Sequence, residues 1–199
     1  MTASADVASG AVEPYLPLGL RLGRHLDGLV DAYYGPEALA RRVDDEPKVD
    51  LGELVAEAGR SGAPAPADMA HVARPRVGFI GGIDHHTFDP ELFLGVARAM
   101  TDTHFVMVGG SSLPEDWCTL PNVTFLGRKP YDEVAHYMAA MDALIMPWNR
   151  SPWIEACNPI KLKEYLAVGR PVVSTDFPAL DGVRDLVRTA NDVDGFVAA

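Results

Sequence analysis

Lys161 and Glu164 stand three residues apart in the stretch NPIKLKEYLAVGRPVVSTD, which runs from Asn158 to Asp176. That spacing puts both side chains on one face of a helix. Two chemistries fit. The pair can be a surface ion pair worth about 0.2–0.5 kcal/mol. It can also face an anion, because a helix N-terminus offers free N–H groups and a partial positive charge that suit a phosphate. The same dipole disfavours a lysine in the first turn unless an anion visits. Start and stop signals bracket this helix. Asn158 is a favoured N-cap and Pro159 suits the first helical position. Gly169 fits just past the end, and Pro171 blocks continuation. A helix over about residues 159–168 is expected, with Leu162, Tyr165 and Leu166 packed on a sheet and Lys163 in solvent.

A second group of candidates lies where apolar runs end in glycine. GFIGGIDHHTFDP carries Gly81 and Gly82 after a strand-like run, HFVMVGG ends in Gly109 and Gly110, and NVTFLGRKPY carries Gly127 before Arg128 and Lys129. Glycines at strand ends let backbone approach a ligand closely. One such pair is weak evidence; three of them beside a basic loop and a helix start point to one edge of a sheet. Asp84, His85, His86 and Asp89 cluster after Gly82, but adjacent histidines do not match metal-ligand spacing, and no metal site is expected. Ser111, Ser112 and Ser174 have no histidine partner in sequence and read as turn or strand-end residues. Neither G-x-x-x-x-G-K-[ST] nor G-x-G-x-x-G occurs, against a P-loop nucleotidase and a nicotinamide or flavin enzyme. There is also no G-x-S-x-G and no H-E-x-x-H.

Short apolar runs must hold these residues. RVGFI, HFVMV, NVTFL, DALIM and RPVVS alternate with amphipathic segments such as PELFLGVARAM, with Leu92, Val96 and Met100 on one stripe, and YDEVAHYMAAM. DLVRTAN reads as a last strand and DVDGFVAA as the start of a helix. Near-continuous apolar strands between helices predict an α/β fold, a Rossmann-like parallel sheet with helices on both faces. Ligands of such sheets bind outside the carboxyl ends of the strands. Residues 75–199 make this domain. Residues 61–74, rich in proline, glycine and alanine, read as a linker. Residues 1–60 read as a helical segment, with Leu18, Leu22, Leu26, Leu29 and Val30 at helical spacing, a restart after Pro36, and Asp50 as an N-cap with Glu53 three residues on. Trp148, after ALIMP, reads as a rim or core aromatic.

The chain has 199 residues and a net charge of −11, which opposes nucleic acid and acidic membranes. From Arg128 to Arg170, however, six basic residues meet five acidic ones, so a local anion site survives. Cys118 and Cys157 lie far apart, as reduced thiols of a cytoplasmic protein would. No apolar run is long enough for a membrane span, and the N-terminus lacks the pattern of a secretory signal.

RPRVGFIGGIDHHTFDPELFLGVARAM, HFVMVGG, NVTFLGRKPYDEVAHYMAAMDALIMPW and NPIKLKEYLAVGRPVVST resemble, in that order, the donor-binding half of GT-B glycosyltransferases of the bacterial group 1 type. The resemblance covers about residues 74–199. It implies transfer of a sugar from a nucleoside-diphosphate sugar to an acceptor it does not identify, without an essential metal or other cofactor. It implies that Glu164 holds the donor ribose, that Asn158 and Lys161 face the diphosphate or sugar, and that Gly81 and Gly82, with Asp84 beside them, pass close to the diphosphate. Gly127, Arg128 and Lys129 would border the base. No residue is assigned to catalysis. Two departures stand out. Relatives carry a second glutamate eight residues before the helix glutamate; here that position is Ala156, with Glu155 one residue off. The basic pair of the diphosphate site is not evident after Gly82, so Lys161 or the histidines would substitute.

The resemblance also implies an acceptor-binding domain, which 60 residues are too few to supply. Those residues loosely resemble the start of uncharacterised helical actinobacterial proteins. The chain is therefore expected to be an incomplete enzyme. The alternative is a non-catalytic module that self-associates or binds a protein through an exposed cleft face.

Overall fold

Five consecutive residues of RVGFI form β1 (Arg76–Ile80), and four of the five are buried. Such a run is what a strand covered on both faces requires. The computed structural model describes residues 15–25, 37–50, 53–54 and 65–199. The other strands are β2 (His104–Val108), β3 (Val123–Gly127), β4 (Ala143–Met146), β5 (Val172–Ser174) and β6 (Val187–Thr189). All pair in parallel, in the order β3-β2-β1-β4-β5-β6. The chain steps outward from β1 to β3, then returns to the other side of β1 to lay down β4, β5 and β6. With right-handed crossovers, this reversal puts the connecting helices on opposite faces. Accordingly α3 (Pro90–Ala99) contacts the last helix, α7 (Val193–Ala198), while α4 (Tyr131–Ala139) contacts α6 (Ile160–Val168). This is the expected Rossmann-like sheet.

The apolar stripe of α3 centres on Phe93, Val96 and Ala97, with Leu92 only partly buried. Asp89 caps the helix, its carboxylate accepting from Leu92 N. Phe88, Phe93 and Trp117 pack with ring centroids 5.5–5.8 Å apart. Trp148 is a core aromatic, stacked on Phe177 at 5.4 Å.

The sheet opens at one place. β1 pairs with β2 along its whole length, to Ile80↔Val108, but with β4 only at Val77↔Ala143 and Gly78↔Leu144. Tyr165, fully buried on α6, enters this split. Its hydroxyl accepts from Ile80 N at 2.7 Å and donates to Ile80 O at 3.3 Å. A side chain thus supplies the pairing that β4 withdraws.

Three expectations about α6 need correction or support. Its apolar side is Leu162, Tyr165 and Leu166, and Gly169 ends it in the left-handed conformation at φ 67°, both as expected. The start differs. Pro159, extended at ψ 127°, occupies the N-cap without a side-chain bond, and Asn158 lies one residue outside. The reason is α5 (Pro152–Ala156), a short helix that the sequence pattern did not suggest, capped by Ser151. Residues 157–159 are the extended connector between the two helices. Lys163 is buried, not solvated. It stands four residues before Ala167, which packs against Leu18, Leu22 and Leu54 of the N-terminal segment. That side of α6 is therefore covered.

The N-terminal segment contributes α1 (Tyr15–Gly23) and α2 (Glu37–Asp45), linked by an Arg21–Glu46 ion pair at 2.7 Å. Asp50 accepts from Glu53 N, as an N-cap would. Leu26, Leu29, Val30 and Pro36 lie outside the described residues. Between the segment and β1, Ala67–Met69 forms a 3-10 turn, and Met69 and Val72 are buried in the main core. Among the described residues no helix is long and apolar enough to cross a membrane.

Candidate functional site

Three strand ends are stitched together beyond the sheet. Gly81 N donates to Val108 O, Ile83 N to Gly110 O, and Gly109 N to Gly127 O, each at 2.9 Å. The stitching brings backbones to their closest approach at Gly109, whose φ is +147°. A Cβ there would sit 1.8 Å from Gly81 O. Asp84 Oδ1 accepts from His86 N at 2.9 Å and Thr87 N at 3.2 Å and so fixes the turn after Gly82. Ser111 Oγ accepts from Leu113 N at 3.1 Å and shapes the turn after β2, in keeping with its reading as a turn residue.

These turns floor an open cleft of about 370 Å³ at the carboxyl ends of β1, β2 and β3. Of the sequence candidates, Gly81, Gly82, Asp84, Arg128, Lys129 and Lys161 line it. Gly109, Gly110, Ser111 and Ser112 join them. Arg128 lies across Gly110, where an added Cβ would come within 2.5 Å of its Nε. Gly127, Asn158 and Glu164 do not line the cleft, and neither do His85 and His86. The His86 ring instead packs on Trp153 at 4.8 Å. A larger hollow of about 780 Å³ opens on α2, at Glu37, Arg41, Arg42, Asp45 and Glu46. It has no strand ends or glycine turns, and Arg41 already pairs with Glu37.

Glu164 sits one helical turn from Lys161, and both carboxylate oxygens are taken. Lys161 Nζ donates to Oε2 at 2.6 Å, and the Tyr131 hydroxyl donates to Oε1 at 3.0 Å. The side chain of Glu164 is 17% exposed, whereas Tyr131 is 76% exposed. The negative charge of Glu164, then the hydrogen bond to it, raises the Tyr131 phenol above its ordinary pKa.

Lys129 is held from the other side. Its ammonium pairs with Asp68 at 2.5 Å and lies 5.4 Å from the centre of the Tyr137 ring. Tyr137 in turn donates to Asp68 Oδ1 at 2.9 Å. The Lys129 hydrogen bond lowers the Asp68 pKa, and the same bond raises that of Lys129. Burial, followed by the bond to Asp68, raises Tyr137. Because the Asp68 pKa is depressed, the stability it adds is full above its unfolded value near 3.8 and is lost as pH falls through the lower folded value. Asp68→Asn should therefore cost under about 1 kcal/mol at neutral pH, since the pair is partly exposed, and should flatten the acid limb of the stability curve. Denaturant midpoints measured from pH 2 to 5, across and below the ordinary Asp68 pKa, check this; parallel wild-type and variant curves would contradict it.

Sequence reasoning missed Tyr131, Asp68 and Tyr165's hydroxyl. Tyr131 was visible only as the first residue of a helix, after Pro130. Asp68 lies in a stretch without periodicity, and nothing in its sequence surroundings marks it.

A parallel sheet in the order above, with glycine turns and cations gathered at its carboxyl edge, defines a Rossmann-like domain. Residues 74–199 match the family described as glycosyl transferases group 1, and the chain belongs to that family. It is 39% identical over 108 residues to TuaH of Bacillus subtilis (strain 168), a protein named for glycosyl transfer in teichuronic acid biosynthesis, across 52% of this chain and 27% of that one. Its fold is like that of Anabaena Alr3699/HepE, crystallised with UDP and glucose (TM-score 0.51, 16% identity, 66% of this chain and 39% of that one). It is also like that of the trehalose-6-phosphate synthase OtsA (TM-score 0.51, 13% identity, 74% of this chain and 40% of that one). The chain therefore spans 27–40% of the length of these three relatives.

Proposed function

We propose that the cleft binds the diphosphate and nucleoside of a nucleoside-diphosphate sugar, and that the chain supplies the donor half of a glycosyl transfer. One observation carries this reading. Arg128, Lys129 and Lys161, from two different segments, gather with the backbone of Gly81, Gly82, Gly109 and Gly110 around one cleft, in a chain of net charge −11. Cations and closely approachable backbone at the ends of strands suit a diphosphate. The UDP and glucose held by a protein of like fold agree with it.

In this reading Lys161 and Arg128 face the diphosphate. They stabilise the charge that grows on it as the bond to the sugar breaks, a role that fixed cations fill in place and that needs no resident metal. Glu164 takes the ribose hydroxyls. Asn158, exposed before α6, faces the sugar from the rim, and Gly127 lets the chain turn toward the base. The acceptor and the groups that position it lie across the cleft, on a facing domain. A cytoplasmic setting accords with two free, half-buried thiols, Cys118 and Cys157.

Isothermal titration with uridine and guanosine diphosphates tests the proposal. Heat with one of them is expected, and Glu164→Ala should weaken that binding by about tenfold or more, the worth of a hydrogen bond to a charged group. A folded sample that gives no heat with either nucleotide sinks the proposal. A second reading, a self-associating module without catalysis, draws on Trp153 and Ile160, which are 50% and 52% exposed. Concentration-dependent dimers that ignore both nucleotides would favour it.

A further inference from the structure

Glu164 presents a conflict. Its carboxylate is the proposed ribose partner, yet it is covered, and both of its oxygens already accept hydrogen bonds. The two bonds differ in kind. Lys161 comes from the same helix, three residues away, and is itself only 26% exposed, so that pair is built into α6. Tyr131 comes from the first residue of α4, across 33 residues of chain. It is the most exposed large aromatic or aliphatic side chain among the described residues, at 76%. Its ring is largely in solvent, and the bond from its hydroxyl to Glu164 is its one side-chain hydrogen bond among the described residues. It also follows Arg128 and Lys129, which line the cleft, by only three and two residues.

We infer that Tyr131 is a latch that competes with the nucleoside: its hydroxyl stands in for a ribose hydroxyl on Glu164 in the empty cleft and must leave when a nucleotide binds. The inference rests on the proposed role of Glu164. An exposed tyrosine swings at little cost in packing, whereas Lys161 and Tyr165 hold α6 in place. A ligand with a ribose replaces the phenol bond with its own hydroxyls, and Lys161 keeps the second oxygen. A ligand without a ribose has nothing to offer Glu164 and leaves the latch closed. The device lowers the apparent affinity of every nucleotide by the cost of opening the latch and leaves that of free diphosphate untouched.

Titration of the wild-type chain and Tyr131→Phe with uridine diphosphate, guanosine diphosphate and inorganic pyrophosphate tests this. Tyr131→Phe keeps the ring and removes the competing hydroxyl. It should tighten binding of the preferred nucleotide by about 3- to 10-fold, the equilibrium worth of one hydrogen bond, and leave pyrophosphate unchanged. In a Glu164→Ala background the same substitution should change nothing, since the latch has no partner. Equal or weaker nucleotide binding by Tyr131→Phe overturns the latch while leaving the nucleotide site standing. A parallel gain for pyrophosphate overturns it too. If the folded wild-type chain binds no nucleotide, the site and the latch fall together. Tyr131 is at the surface, so Tyr131→Phe should fold; circular dichroism checks both single variants before titration.

Discussion

Gly109→Ala is expected to lower the unfolding free energy by about 3–5 kcal/mol, from backbone strain and overpacking together. The new Cβ would lie 1.8 Å from Gly81 O and 2.8 Å from Gly81 C. Both are backbone atoms, and neither can turn aside as a side chain would. Nor can the segments part, because Gly81 N is bonded to Val108 O and Gly109 N to Gly127 O. The φ of +147° adds conformational strain for any residue with a Cβ. Gly127→Ala makes the control. Its φ of +68° is also left-handed, but no atom lies within 4 Å of an added Cβ, so about 1 kcal/mol is expected from conformation alone. Guanidinium unfolding of both variants reads the difference as a shift in midpoint at constant slope. Equal shifts would show that the contact with Gly81 does not govern the site. Since Gly109 floors the cleft, the proposed nucleotide binding should fall with stability in Gly109→Ala.

The second large effect belongs to Tyr165→Phe, at about 2 kcal/mol. The substitution is nearly isosteric, so packing is kept. What is lost is the hydroxyl that serves Ile80 N and Ile80 O where β1 and β4 diverge. Two buried backbone groups lose a partner in a place water does not reach. A pH signature separates this from a packing defect. Burial, and to a lesser extent the charge of Glu164, pushes the Tyr165 phenol far above its ordinary pKa of 10. The folded state therefore keeps this proton where the unfolded chain gives it up. The contribution is complete below pH 10 and falls as pH rises above it, by up to about 1.4 kcal/mol per pH unit. Wild type should lose stability between pH 10 and 11.5 more steeply than Tyr165→Phe. Equal slopes would mean that the phenol is not held neutral by the fold.

The strands were legible because each is a short apolar run bounded by glycine, proline or charge, and a two-faced parallel sheet demands such runs. The cleft was legible in part for the same reason, since glycines and cations gather where strands end. What escaped was pairing over distance. Tyr131 meets Glu164 across 33 residues, Lys129 meets Asp68 across 61, and Tyr165 meets Ile80 across 85. Local periodicity carries no information on such pairs. Lys163 was misplaced for a related reason. Solvation was inferred from its charge, while its burial depends on a separate segment that reaches Ala167 on the same side of α6. The start of α6 was off by one residue because Asn-Pro is a good helix opening in isolation, and only the preceding α5 makes it a connector.

The short stretch before β1 bears on where this domain can be cut. The family match begins at residue 74, but the material that closes the fold begins earlier. Met69 is completely buried and Val72 nearly so. The Arg76 guanidinium donates to Val72 O at 2.8 Å, and Asp68 holds Lys129 and Tyr137. Trimming to Arg74 would unplug two apolar side chains worth about 1.5–3 kcal/mol each and release a lysine from the wall of the cleft. The smallest unit that keeps both core and cleft intact starts near residue 65. Excision at the family boundary would yield a protein that carries every recognised motif and is nonetheless weakened.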